Sequence, residues 1–354
     1  MSTIIYRQIE DLAEIEAVVD LEIAVWSLDP RDAVPSNILH AMVSNGYLLV
    51  GAFIEDSLVG MAFGFPVRRG NHWILWSHMA AVLPDYQGQG IGFGLKEFQR
   101  KWAAEQGYRM LAWTFDPLQR GNANFNMHHL GATAQTYHVN FYGEMTDGIN
   151  AGLPSDRLEV QWAVKKPSAQ KRTPHEYTVE NCILISQDDL MPALHLPPQW
   201  ESPAYLVEIP RNLGELKRAN SHAALSWRLA LREALQTAFN NGYIASDFVE
   251  LDGRPCYVLS QSARWYLYVL ECNDGTLYTG ITPDLQQRLT KHNTGRGAAY
   301  TASRRPVRPL AAWQFADRSA ALKAERAFKG LTRAEKLRYI TQQQPYLQAP
   351  FVTF

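Results

Sequence analysis

Three glycines separated by single residues, in Gln87-Gly88-Gln89-Gly90-Ile91-Gly92, stand between a strand-like run and an amphipathic helix. No other segment limits the fold as much. The run before it, Trp73–Val82, reads as a strand. After it, Ile91, Leu95, Phe98 and Trp102 recur at helical spacing, and Gly107 is a natural stop. Glycines at a helix start let a ligand approach the backbone, and the free N–H groups and the positive end of the helix dipole point at it. Such a site suits a pyrophosphate. A dinucleotide-binding fold would carry its glycines after the first strand, with an acid about 20 residues later. Here several strands precede the loop.

The elements around the loop extend the pattern. Ile9, Leu12, Ile15, Val19 and Ile23 mark a first helix, and Tyr47–Phe53 and Leu58–Phe65 are strands joined at Glu55-Asp56-Ser57. Met110–Phe115 is a further strand. The polar stretch from Lys165 to Pro174 reads as a linker. The segment 175–262 then gives a strand (Tyr205–Ile209), a helix (Ala223–Asn240) and two strands (Tyr243–Leu251, Cys256–Leu259). It has the order of the first segment without its glycine loop. We read it as an accessory half that partners the first structurally. With 354 residues the chain exceeds what one core usually serves, so further domains are expected.

The glycine loop resembles the signature of the GNAT acetyltransferase family, Gln/Arg-x-x-Gly-x-Gly/Ala, met by Gln87, Gly90 and Gly92 within residues 1–165. The strand before and the helix and strand after agree with that family. The resemblance implies acetyl-CoA or another acyl-CoA as cofactor, held by Val82, Gln87, Gly88, Gln89, Gly90, Ile91 and Gly92, with Asn122 near the position of a cofactor-contacting Asn. Leu130-Gly131 matches the family's Leu-Gly-Phe ending. One position departs: the family's Tyr, four residues before that Gly and acid for the leaving thiolate, is Met127 here. Tyr137 and Tyr142 are substitutes to test, and Asp116 and His78 are candidate bases, each with a purely structural reading beside it.

The last segment differs in charge. Residues 263–354 hold fourteen Lys/Arg against six Asp/Glu, a net of +8, whereas the rest nets −9. That surplus is a plausible footprint for a phosphate backbone. Its strands Trp265–Cys272 and Thr276–Ile281 flank Asp274-Gly275, a strong hairpin signal. A helix Asp284–His292, a basic loop, a strand Leu310–Phe315, a helix Ser319–Lys329 and a helix Arg333–Ile340 follow, the last begun by a Thr332/Glu335 capping box.

Phosphodiester hydrolysis needs a deprotonated water in line, charge neutralised at the phosphate, and a stabilised leaving oxygen. Arg288 and His292 fall one turn apart on a helix that Asp284 can cap. Arg288 can hold a phosphate oxygen, and His292 or Tyr278 can accept the water's proton. Glu325 offers the one carboxylate a magnesium ion requires. The pattern Tyr266-Leu267-Tyr268, Tyr278-Thr279-Gly280, Arg288-x3-His292 and Glu325 resembles the GIY-YIG nuclease superfamily, in its small stand-alone bacterial branch. The outer letters of the first signature and the middle of the second depart from it, and both tyrosines remain. The resemblance places Tyr268 and Tyr278 at the nucleophile, Arg288 on phosphate, His292 as base and Glu325 on Mg2+. Tyr300, Arg304 and Arg305 read as contacts to a DNA backbone. Lys329 reads equally as a phosphate contact or a surface partner of Glu325.

The expected architecture is a multidomain α/β and α+β chain. It has a GNAT-like mixed sheet with flanking helices (1–165), a GNAT-like accessory half (175–262), and a small domain led by a β-hairpin with a three-stranded sheet (263–345). The expected function is acyl transfer from acyl-CoA to an amine or small molecule, fused to magnesium-dependent cutting of DNA. The alternative is a non-catalytic DNA-binding module tethering an acyl-CoA-binding domain to nucleic acid. No apolar run approaches the roughly 18–20 residues that cross a membrane, and the acidic N-terminus is unlike a signal peptide. A cytoplasmic setting is therefore expected. Cys182, Cys256 and Cys272 lack metal-ligand spacing and are expected as reduced thiols.

Overall fold

The computed structural model describes residues 3–69, 72–145, 152–165, 177–187, 190–261, 265–315 and 318–352. The expected linker lies outside these residues from Lys166 onward, as does Arg264. The chain divides into two compact units, 1–260 and 261–354.

In the first unit the elements run β1 (Ile4–Gln8), α1 (Leu12–Trp26), α2 (Ser36–Ser44), β2 (Leu48–Ile54), β3 (Ser57–Arg69), β4 (His72–Val82), α3 (Ile91–Glu105), β5 (Met110–Phe115), α4 (Arg120–Ala123), β6 (Thr133–His138) and β7 (Arg157–Ala163). They continue with β8 (Cys182–Ser186), β9 (Pro192–Leu194), β10 (Ala204–Glu208), α5 (Leu213–Ala219), α6 (Ser221–Asn240), β11 (Tyr243–Leu251) and β12 (Arg254–Gln261). All twelve strands form one sheet, in the order β1-β2-β3-β4-β5-β7-β6-β11-β12-β10-β8-β9. The accessory half thus extends the sheet of the first half, and β6 meets β11 through the pair Ala134 and Ala245.

Alternation along the strands explains the two layers. Leu48, Val50 and Ala52 of β2 face one core with Leu95 and Trp102 of α3, while Leu49 and Phe53 face the other with Ile15 and Val18 of α1 and Leu39 of α2. The α3-side core continues without a break into Trp227, Leu231 and Leu235 of α6. One core therefore draws on residues of both 1–165 and 175–262. Asp11 starts α1 by accepting the Ala13 and Glu14 N–H groups, and Gly107, at φ 77°, follows the end of α3.

One ladder matters for function. β4 and β5 run parallel, but they pair only through Leu75–Leu111 and Trp76–Ala112. Beyond those pairs they part, toward the end of β4 that leads into the glycine loop. β4 also skips a residue against β3: Phe63 faces Met79 and Gly64 faces Ser77, leaving His78 as the extra residue of a bulge.

The second unit contains β13 (Trp265–Glu271), β14 (Leu277–Thr282), α7 (Leu285–Asn293), α8 (Ala299–Ala302), β15 (Arg308–Phe315), α9 (Arg318–Gly330), α10 (Arg333–Thr341) and β16 (Phe351–Val352). Its sheet order is β14-β13-β15-β16. The expected three strands gain a fourth of two residues, too short to show a period, which pairs Val352 and Phe351 with Ala312 and Trp313. The basic loop contains the single turn α8. Leu267, Val269 and Trp313 face Ala321, Ala324 and Phe328 of α9, whereas Tyr268, Leu270 and Ala312 face the opposite way, toward Leu285 and Leu289 of α7.

Candidate active sites in the two units

In the first unit the glycine loop is built as its sequence requires. Gly88 and Gly90 have φ of 75° and 83°, a region that disfavours any side chain. A Cβ on either would meet nothing within 4 Å, so the space above the loop is open. Gly90 is the N-cap of α3 and no side chain caps the helix, leaving its first-turn N–H groups for a ligand. The donors fit the pyrophosphate of an acyl-CoA. Gln87 Nε2 donates to Val82 O at 3.0 Å and Gln89 Nε2 to Asp85 O at 3.2 Å, so both glutamines brace the loop from within. Asn122 is exposed on α4, in the same helical segment as Phe125, whose ring lies 3.9 Å from where a Gly92 Cβ would be.

The acid and base candidates fare differently. Met127 is fully buried. Tyr137 donates to Asp156 at 2.8 Å, and burial, with the Asp156 charge, pushes its hydroxyl far above the usual range. It is a poor acid. Tyr142 is exposed, with Arg157 over its ring. Asp116 is no base: both its oxygens accept from Arg228 at 2.7 Å, and Oδ1 also accepts the Leu118 N–H. This buried pair ties β5 to α6. His78 sits exposed at the bulge, its ring 5.6 Å from that of Phe65.

In the second unit, four of the expected residues come together. Tyr268 on β13 and His292 on α7 are buried, and Tyr268 Oη lies 2.9 Å from His292 Nε2. Arg288 Nε donates to Tyr268 Oη at 3.0 Å, and its guanidinium and Tyr268 both interact with the Tyr278 hydroxyl. The Tyr278 ring packs 5.0 Å from His292 and 6.2 Å from Tyr268. Asp284 caps α7 through the Gln287 N–H, which fixes the turn carrying Arg288 and His292.

Two residues that sequence reasoning missed complete the arrangement. His292 Nδ1 is 2.6 Å from Thr301 Oγ1, and Thr301 Oγ1 donates to Ala298 O at 2.9 Å. With its proton so directed, Thr301 meets His292 as an acceptor, and Nδ1 carries the imidazole proton. Nε2 is then the acceptor for the Tyr268 hydroxyl. Burial, with Arg288 nearby, lowers His292 to about 4, so the ring is neutral at neutral pH. Burial raises Tyr268 to about 12, against the Arg288 contact that lowers it. The second missed residue is Gly297, where a Cβ would come within 2.6 Å of His292 Nδ1.

Glu325 takes no part in these hydrogen bonds. It lies on α9, which covers the sheet face opposite the Tyr268 side chain, and its carboxylate accepts from Lys329 at 2.8 Å. Its carboxylate oxygens are the hard donors magnesium prefers. Among the described residues no group of three or more His, Cys, Asp or Glu could hold a metal ion. Tyr300 is exposed and stacks 6.1 Å from Tyr278, with Arg304 4.3 Å above its ring. Arg304 also pairs with Asp274 at 2.9 Å, and Arg305 donates to Ala302 O. The three cysteines are free thiols. No described helix is long and apolar enough to cross a membrane.

Comparison with known proteins finds one family model in each unit. The GNAT acetyltransferase family model matches residues 12–131, and the GIY-YIG catalytic domain model matches 264–338. A UPF0213 protein of Streptococcus agalactiae is 53% identical over 79 residues, 22% of this chain and 90% of the relative. A UPF0213 protein of Cupriavidus pinatubonensis is 46% identical over 88 residues, 25% of this chain and 98% of the relative. Among solved structures, the ribosomal-protein-S18-alanine N-acetyltransferase of Escherichia coli is 15% identical with a TM-score of 0.38, covering 49% of this chain and all of its own. A GNAT-family acetyltransferase of Streptococcus pneumoniae is 19% identical with a TM-score of 0.38, covering 46% of this chain and all of its own. The chain belongs with the UPF0213 proteins through a GIY-YIG catalytic domain at residues 264–338, and its residues 12–131 match the GNAT acetyltransferase family model.

Proposed function

We propose that the second unit is a magnesium-dependent endonuclease hydrolysing DNA phosphodiesters, and that the first transfers an acyl group from acetyl-CoA or another acyl-CoA to an amine or small molecule. The observation that carries the nuclease reading is the directed chain from Arg288 through Tyr268 and His292 to Thr301. A proton acceptor is built into it. Half-buried Tyr278 is the phenol that can face the attacking water. The water's proton passes to Tyr278, the Tyr278 proton to Tyr268, and the Tyr268 proton to His292 Nε2. Hydroxide attacks phosphorus, the P–O bond breaks, the leaving oxygen takes a proton from solvent, and the proton on His292 returns through the two phenols to solvent. Arg288 stabilises negative charge on the phenol oxygens during the relay and can reach a phosphate oxygen. Glu325 would hold Mg2+, which supplies charge neutralisation at the phosphate. Tyr300, Arg304, Arg305 and Lys329 are the proposed contacts to the DNA backbone, in a segment whose net charge is +8.

For the first unit, support comes from the uncapped start of α3 and the open space over Gly88 and Gly90. The proposed cofactor residues are Val82, Gln87 to Gly92 and Asn122. The proposed division remains 1–165, 175–262 and 263–345, the first two sharing one sheet.

Two experiments test these readings. In the first, Glu325→Gln is expected to lose cleavage of DNA in magnesium while retaining salt-dependent binding. Undiminished cleavage would remove Glu325 from the site. A wild-type chain that binds DNA and never cuts it would establish the tethering alternative. In the second, calorimetry is expected to show acetyl-CoA binding to the full chain and its loss in Gly90→Arg. Absence of wild-type binding would end the acyltransferase reading.

A further inference from the structure

Three polar side chains lie inside the apolar core beneath the parting of β4 and β5. Lys96 of α3, Ser77 of β4 and Gln99 of α3 are 5%, 3% and 0% exposed. Lys96 Nζ donates to Ser77 Oγ at 2.7 Å, and Ser77 Oγ donates to Gln99 Oε1 at 2.8 Å. Among the described residues Gln99 Nε2 has no hydrogen-bond partner. The Lys96 ammonium also lies 3.9 Å from the centre of the Trp113 ring on β5, and Trp113 Nε1 donates to Asn126 at 3.2 Å. A buried amine and a buried amide nitrogen left unsatisfied are both unfavourable in a core that purely apolar residues could fill.

Their position gives the reason. The last paired residues of the β4–β5 ladder are Trp76 and Ala112. Ser77 and Trp113 are the next residues on each strand, the first to be separated. Lys96 touches both, and so occupies the fork. The opening of the fork faces the end of β4 that leads into the glycine loop. From Ser77 to Val82 is five strand residues, roughly 17 Å, comparable with an extended pantetheine arm. A cofactor with its pyrophosphate on the loop can reach the fork with its sulfur. At the position where the family supplies a phenol, Met127 is apolar and fully buried.

We propose that Lys96 is the proton donor to the departing sulfur of acyl-CoA, an inference that rests on the acyltransferase reading of this unit. The acceptor nitrogen attacks the thioester carbonyl carbon, and the C–S bond breaks with its electron pair on sulfur. Lys96 Nζ gives a proton to that sulfur and becomes a neutral amine. The proton released from the acceptor nitrogen goes to solvent, and Lys96 is recharged from solvent. Burial lowers Lys96 to about 7, and among the described residues no carboxylate pairs with it. Such an amine gives up its proton readily at neutral pH. The groups facing it from β4 and β5 are the Ser77 hydroxyl and the Trp113 ring, and neither titrates in this range. The Trp113 face keeps the charged form available. The neighbouring ions on α3, Glu97 and Arg100, pair with each other.

The test needs no acyl acceptor. Reduced CoA is bound to the full chain, and the thiolate absorbance is titrated for wild type, Lys96→Met and Lys96→Arg. Binding is checked by calorimetry and folding by circular dichroism. Methionine keeps the length of the lysine stem without its charge, so the variant is expected to fold. In wild type the bound thiol is expected about 1 to 3 pH units below that of free CoA. It should return to the free value in Lys96→Met and stay lowered in Lys96→Arg. Equal values in wild type and Lys96→Met, with CoA bound to both, would overturn the role of Lys96 and leave acyl-CoA binding standing. Failure of CoA to bind wild type would overturn the acyltransferase reading itself, and the proposal with it.

Discussion

Because Thr301 directs its own hydroxyl proton at Ala298 O, its effect on His292 is electronic as well as steric. Thr301→Val keeps the shape of the residue and removes the acceptor for the Nδ1 proton. The imidazole is then free to place its proton on Nε2, where it would donate to Tyr268 and oppose the relay. Cleavage is expected to fall on the order of 10- to 100-fold in Thr301→Val and to recover in Thr301→Ser. A nitrogen NMR spectrum of the imidazole should show the changed tautomer, and an unchanged tautomer with reduced cleavage would make Thr301 merely structural. The pH dependence has a definite sign. His292 titrates near 4 when folded and near its ordinary value of 6.5 when unfolded, so the unfolded state binds more protons between these values. Its contribution to stability is complete above about pH 6.5, weakens as pH falls, and is lost near pH 4, by about 3 kcal/mol at most. Thermal melts of the second unit from pH 7 to 4 should show this fall, and His292→Gln should flatten it. Lys96 illustrates what a sequence conceals at this scale. Gly92, Lys96, Gln99 and Ala103 form a stripe beside the apolar one on α3, and a Lys and a Gln there read as solvated. Lys96, Gln99 and Ala103 are buried, because the parting of β4 and β5 lies above them.

The β13–β14 hairpin shows why an element places catalytic residues more firmly than a loop does. The turn at Asp274-Gly275 sets the register, Leu270 faces Tyr278, and Tyr268 faces Gly280. A Cβ at Gly280 would lie 2.6 Å from the Tyr268 hydroxyl oxygen and 2.8 Å from its Cζ. The glycine of the second signature is therefore the space in which the first tyrosine's ring lies. Gly280→Ala should displace the Tyr268 hydroxyl from His292, destabilise the unit by about 1–3 kcal/mol, and abolish most cleavage. A variant cutting DNA at the wild-type rate would show that Tyr268 need not hold this position. Local patterns of this kind made much legible: the hairpin, the helices after Asp284 and Gly90, and the capping box at Thr332 all follow from short-range chemistry. The strand β1, with most of its residues exposed, and the three-residue β9 carry too little periodicity to be read. The joining of twelve strands depends on pairings such as Ala134 with Ala245, distant in sequence and without a local signal.

At the scale of the molecule, two separate sets of buried residues argue for two separate stabilities. The first unit's cores draw on residues from Ile9 to Leu259, and the second's on residues from Leu267 to Ala349, with no member in common. Charge divides along nearly the same line, with a net of −9 before residue 263 and +8 after it. A ligand stabilises the unit that binds it when folded, by an amount that grows with the logarithm of its concentration over Kd. Scanning calorimetry of the full chain should therefore give two transitions. Acetyl-CoA at about 100 times its Kd should raise only the first unit's transition, by the equivalent of about 2.7 kcal/mol. DNA at low salt should raise only the second's, and added salt should remove that shift as counterions compete for the phosphates. Gly90→Arg should abolish the first shift and spare the second, while Glu325→Gln should spare both. One transition moved as a whole by either ligand would mean that the two units fold as one cooperative body, and that the acyl-CoA and DNA sites are energetically coupled.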